Sequence, residues 1–182
     1  PILMTGVQGA DSILQGKPVV ENPALTNSEN WSVQPQNFVL YAVKYVNPWH
    51  GQYLRRGIDN ATIDGTSKVI VRHEQFVEKD EAVDISTESM KDNLLTLKTK
   101  DAAGNDISYT IRMSFTEDGV CTLSSGSQNA VVSGNGKFVS KGEKNSLGGK
   151  DRNAIYLDYT VNLTENNIQL ATKDTLVLRT RN

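Results

Sequence analysis

The chain has 182 residues, with 19 Lys and Arg against 21 Asp and Glu for a formal charge of −2, and 37% hydrophobic residues. That length suits one generous domain, or one domain with part of another. No polybasic run is present, which argues against nucleic acid as a partner, and no apolar run approaches the ~18 residues of a membrane helix.

Residues 1–36 are broken and polar in text, and read as the tail of a preceding domain followed by a linker. A start at Pro1 rather than Met points to a processed protein or a piece of a longer one. From residue 37 to 182 the sequence reads as one β-barrel domain. "FVLYAVKYV" (38–46) opens it as a strand, and "NPWHGQYLRRG" (47–57) forms a corner leading into the next. "SKVIVRHEQFVE" continues the series, while 79–93 could hold a short helix capped by Ser86 or Thr87. "LLTLKT" follows as a strand. In "DISYTIRMSFT", Ile107, Tyr109, Ile111, Met113 and Phe115 fall on one face and polar residues on the other. Alternation held this long marks a strand with one dry face. "GVCTLSS" and "GKFVS" come next, and "NAIYLDYTVNL" repeats the alternation with Ile155, Leu157, Tyr159, Val161 and Leu163. "IQLAT" and "DTLVLRTR" complete the set. "DAAGND", "TEDG", "SGNG" and "TENN" sit between these runs as hairpin joints, their Gly and Asn supplying the positive φ of tight turns. The fold class is therefore all-β: an antiparallel meander closing into a barrel of about eight to ten strands.

Catalytic constellations are sought without success. His50 and His73 are the two histidines, and neither has carboxylate help at metal-ligand spacing. No G-x-S-x-G elbow occurs, and "SLGGKD" lacks the glycine and the Ser/Thr of a phosphate loop. Glu78, Asp80 and Glu81 cluster in very hydrophilic text, the opposite of the apolar pocket a catalytic acid needs. Cys121 is the single cysteine, which excludes an internal disulfide, and its setting is that of a small buried hydrophobe. The expectation is a protein that is not an enzyme and carries neither a cofactor nor a metal.

The corner Asn47 to Gly57 concentrates Trp49, His50, Tyr53, Arg55 and Arg56. As structure it is a bend in which Asn-Pro breaks one strand and Gly51 relaxes the turn, with Arg179 or Arg181 stacked on Trp49 to cover the barrel end. As a site it is a sugar platform, with Trp49 and Tyr53 stacking on pyranose rings and His50, Arg55 and Arg56 taking hydroxyls.

"ADSILQGK" (10–17), "YVNPWHGQYLRRG" (45–57), "GKDRNAIYLDYTV" (149–161) and "ATKDTLVLRTRN" (171–182), in this order, resemble a family of Bacteroidetes surface lipoproteins of unknown function. Its members pair an N-terminal immunoglobulin-like sandwich with a C-terminal lipocalin-like, or calycin-like, barrel, and some carry a lipid-binding label. The resemblance implies a secreted protein, lipid-anchored at the outer membrane or cell surface of a gut Bacteroidetes. It also implies proximity to other outer-membrane glycan-uptake proteins, and transfers no catalytic residue. The expected function is a non-enzymatic surface module that assists glycan capture. The alternative is a barrel that binds a lipid or other small apolar ligand, with Ile107, Ile111, Phe115, Leu157 and Val161 around a void.

Overall fold

The computed structural model describes residues 1–181 and divides them into two compact units, one from Pro1 to Tyr45 and one beginning at Val46. The first unit holds four short strands: β1 (Ile2–Leu3), β2 (Lys17–Pro18), β3 (Trp31–Val33) and β4 (Phe38–Val39). β1 pairs with β4 and β2 with β3, both antiparallel. The run 38–46, expected as a barrel strand, forms only the two residues of β4. Leu40, Tyr41, Val43 and Tyr45 are exposed instead.

The second unit is a closed antiparallel barrel. Its strands are β5 (Gly51–Ile63), β6 (Thr66–Arg72), β7 (Glu81–Thr87), β8 (Asp92–Lys100), β9 (Asp106–Phe115), β10 (Val120–Ser125), β11 (Val131–Glu143), β12 (Arg152–Leu163) and β13 (Ile168–Thr180). Neighbours follow chain order from β7 to β13, and β13 returns to pair with β5 from Ile63↔Ile168 to Gln52↔Thr180. The other edge of β5 is shared: β7 pairs with Gly51–Arg55, and β6 with Gly57–Ile63. β6 and β7 thus act as one barrel staff interrupted by residues 73–80, and the barrel has eight staves.

The alternating runs bury the faces the pattern assigns. Tyr109, Ile111, Met113 and Phe115 on β9, and Ile155, Leu157, Tyr159, Val161 and Leu163 on β12, all lie in the core. Each such aliphatic side chain contributes about 1.5–3 kcal/mol by leaving water. Two local expectations are corrected. Residues 79–93 hold no α-helix: one 3₁₀ turn covers Val77–Lys79, and β7 follows at once. There the alternation of buried Val83 and Ile85 with exposed neighbours outweighs the polar text. "SGNG" is the middle of β11 rather than a turn, with Gly134 opposite Tyr159 and Gly136 opposite Leu157. A Cβ at either glycine would collide with the β12 backbone and with those two side chains. Both glycines therefore make room for the barrel filling instead of bending the chain.

Candidate functional site

The corner at 47–57 is organised by Asn47, which the sequence offers only as half of the Asn-Pro pair that breaks a strand. Asn47 and Asn93 are both buried, and their amides exchange hydrogen bonds at 2.8 and 2.9 Å. Asn47 Nδ2 also donates to the Ser89 carbonyl, and Asn47 Oδ1 accepts from the backbone N–H of His50 at 3.2 Å. A fully satisfied buried amide pair fixes a loop in a single geometry. Here it places Trp49 over one barrel end, where the indole stacks on Phe115 with centroids 4.3 Å apart and planes 7° apart.

The five expected site residues do not come together on one exposed surface. Trp49 is 8% exposed and belongs to the core cluster. Its ring partner is Phe115, not an arginine of the last strand. Tyr53 is fully buried, and its hydroxyl donates to the Trp49 carbonyl at 2.9 Å. His50 accepts from the Thr87 backbone N–H through Nδ1. Arg56 turns outward to Asp80, with Nε donating at 2.6 Å. Arg55 points into the barrel. The open Trp-Tyr platform is therefore not formed, because a corner pinned by Asn47 turns both rings inward.

Where Arg55 arrives is a charged layer inside the barrel. Along β5 the inward series reads Tyr53, Arg55, Gly57, Asp59, Ala61, Ile63, and along β13 it reads Ile168, Leu170, Thr172, Asp174, Leu176. Polar residues hold the middle, with apolar ones on both sides. Arg55 Nε donates to Asp174 Oδ2 at 2.8 Å, and the Tyr159 hydroxyl donates to the same oxygen at 2.8 Å. Arg72 reaches from the end of β6 with Nη2 donating to Asp174 Oδ1 at 2.6 Å, while its Nη1 donates to Asp59 Oδ2. Thr172 donates to the other Asp59 oxygen at 2.7 Å. Arg55 Nη1 also meets Glu81, whose side chain is 46% exposed, at 3.2 Å. Two guanidinium groups against two buried carboxylates leave the layer close to neutral, as burial of charge requires.

Burial tends to lower both arginine pKa values, but the surrounding anionic oxygens outweigh it and hold both raised and charged. Burial raises the Tyr159 phenol well above its usual value, assisted by the Asp174 charge, and raises Tyr109 beside it. The Cys121 thiol is buried too, and burial pushes it up to about 12, so it is a packing residue.

Two clefts border these features. At the barrel end, Pro48, Trp49, Phe138, Gly119, Glu117, Asp118 and Ser140 line a shallow, mostly apolar cleft of about 510 Å³. At the interruption of the second staff, a polar cleft of about 290 Å³ is lined by Arg55, Val71, Arg72, His73, Glu74, Lys79, Asp80 and Glu81. Among the described residues, no group of three His, Cys, Asp or Glu side chains is placed to hold a metal ion. The interior cluster was open to sequence reading in one respect: Arg55, Gly57 and Asp59 share the parity of Tyr53, Ala61 and Ile63. Nothing local, however, tells that a distant Asp174 neutralises them.

No curated protein matches this chain. Among solved structures it is similar to a Bacteroides ovatus protein of unknown function, determined by structural genomics at 2.40 Å. The two are 84% identical with a TM-score of 0.88; the match covers 99% of this chain and 57% of the other, so this chain spans little more than half of its relative. Residues 48–182, which include every strand of the barrel, match a family described as a domain of unknown function, DUF5627, and the chain belongs to that family.

Proposed function

We propose that this protein is a non-enzymatic glycan-binding module of a Bacteroides cell surface, secreted and lipid-anchored, and working beside other outer-membrane glycan-uptake proteins. The observation that carries the reading is the barrel-end cleft. Its lining combines apolar and aromatic residues (Pro48, Trp49, Phe138) with the carboxylates of Glu117 and Asp118 and the hydroxyl of Ser140. Sugars present an apolar ring face and a fringe of hydroxyls, which is the pairing such a cleft matches. The pinned Asn47 corner holds Trp49 in place before any ligand arrives, and preorganisation lowers the cost of binding. The Bacteroides ovatus relative supports the Bacteroides origin alone. The alternative, an apolar ligand inside the barrel, has less support: Ile111, Phe115, Leu157 and Val161 pack against one another in the core, with Ile107 against them.

A glycan array followed by calorimetry tests the reading. At least one oligosaccharide should bind, and Phe138→Ala should weaken it about tenfold, the loss of one aromatic contact. An array without a hit, or a hit indifferent to Phe138→Ala and Asp118→Asn, would overturn it.

A further inference from the structure

Two loops leave the barrel wall and meet outside it: residues 73–80 between β6 and β7, and residues 144–151 between β11 and β12. The Gly148 N–H of the second donates to Glu78 Oε1 of the first at 3.2 Å, which ties the two together. Between them, beside the outward side chain of Arg56, lies a cleft of about 320 Å³. That volume falls within the usual range of ligand pockets, about 300–1,000 Å³.

Phe76 lines this cleft and is 55% exposed, the one exposed aromatic side chain among the described residues of the barrel unit. Lys79 Nζ lies over its ring, 5.9 Å from the centroid, and orients it by cation–π attraction. Around the ring is unused hydrogen-bonding capacity that solvent already reaches. Arg56, whose side chain is 32% exposed, gives Nε to Asp80 and leaves both Nη groups without an acceptor among the described residues. The exposed side-chain amides of Gln75 and Asn145 are likewise unbonded there. Glu78 and Glu143 each have one carboxylate oxygen engaged, by Gly148 and by the Tyr156 hydroxyl, and one left over.

Charge selects the ligand. Arg56 and Lys144 are already paired, with Asp80 and Asp151, whereas Glu78 and Glu143 form no salt bridge among the described residues. An anion would meet those two carboxylates, and a cation would meet Arg56, Lys79 and Lys144. A neutral sugar escapes both penalties. Its apolar face packs on Phe76, while its hydroxyls accept from Arg56 and the amides and donate to Glu78 and Glu143.

We infer that this cleft on the outer barrel wall is a second sugar-binding site, with Phe76 as the stacking platform and Arg56, Gln75 and Glu78 as hydroxyl partners. It rests on the glycan reading above for its ligand class but shares no residue with the barrel-end cleft, so the two fail separately. Titration of ¹⁵N-labelled protein with glucose, galactose, mannose, xylose and N-acetylglucosamine, with acetate as the anionic comparison, reads the site through its backbone amides. At least one sugar should shift the Gln75, Val77 and Asn145 amides saturably. Phe76→Ala should raise the Kd for that sugar about tenfold, the loss of one aromatic contact, and leave the melting temperature unchanged because the side chain is exposed. Gln75→Ala, also at an exposed position, should raise it about threefold for the loss of one neutral hydrogen bond. No sugar shifting these amides, acetate shifting them where no sugar does, or a Kd indifferent to both substitutions would overturn the inference. Shifts confined to Gly119, Phe138 and Ser140 would overturn it as well, and leave the barrel-end reading standing.

Discussion

Asp174 on β13 lies directly across the ladder from Gly57 on β5, and its carboxylate fills the space that a side chain at 57 would need. A Cβ placed there would collide with Asp174 Oδ1 and with the Lys173 carbonyl. The missing side chain at 57 is thus a condition for a buried carboxylate at 174, and through it for the placement of Arg55 and Arg72.

Gly57→Ala should therefore destabilise the barrel by about 1–3 kcal/mol as an overpacking change. Denaturant unfolding followed by circular dichroism measures it. A variant as stable as the parent would show that the ladder yields locally and that the carboxylate does not depend on this space.

Asp174→Ala removes the anion shared by Arg55, Arg72 and Tyr159. Leaving two guanidinium groups underpaired in the interior should cost about 3–5 kcal/mol. Because the pairs are buried, the loss should change little between low and high salt. A strongly salt-dependent loss would place the network in contact with solvent.

Trp49→Ala deletes the indole stacked on Phe115 at the barrel end. A core aromatic deletion of this kind costs about 3–5 kcal/mol. Thermal unfolding checks it, and a shift of only a degree or two would mean that the indole caps the barrel without supporting it.

Tyrosine titration should show the buried layer. Burial raises Tyr53, Tyr109 and Tyr159, and burial with the Glu143 contact pushes Tyr156 up to about 12. Above the ordinary value of 10.0 the unfolded chain releases these phenolic protons while the folded one retains them. Stability from these groups is then complete below about pH 10 and falls as pH rises through the folded values. Near-ultraviolet tyrosinate absorbance should show Tyr53, Tyr109 and Tyr159, three of the six tyrosines, ionising late and together with unfolding, with the part-exposed Tyr156 titrating late from the folded state. Their ionisation near pH 10 in protein that is still folded would contradict the buried placement.

β13 pairs with β12 on one side and β5 on the other, which closes the barrel. Deleting residues 174–182 should expose strand edges on both neighbours and remove Asp174, giving aggregation. A soluble truncated protein with an unchanged melting temperature would show closure to be dispensable.

The period-2 text of β9 and β12 determined a great deal by itself, because which face of a strand is dry depends on that strand's own residues. Ile111, Met113, Leu157 and Val161 could be assigned to the core without any partner being known, and the same logic excluded a helical fold. The fate of "NPWHGQYLRRG" could not be read this way. Trp49 and Tyr53 turn inward because Asn47 meets Asn93, 46 positions away, and Arg55 is tolerated inside because Asp174 lies 119 positions on. "SGNG" has the composition of a turn, and only the approach of Tyr159 and Leu157 across the ladder makes it strand. Alternation is a local property, whereas register and the neutralisation of a buried charge are properties of strand pairs. Here the decisive pair, β5 with β13, joins the first barrel strand to the last, so the charged layer exists only once the barrel has closed.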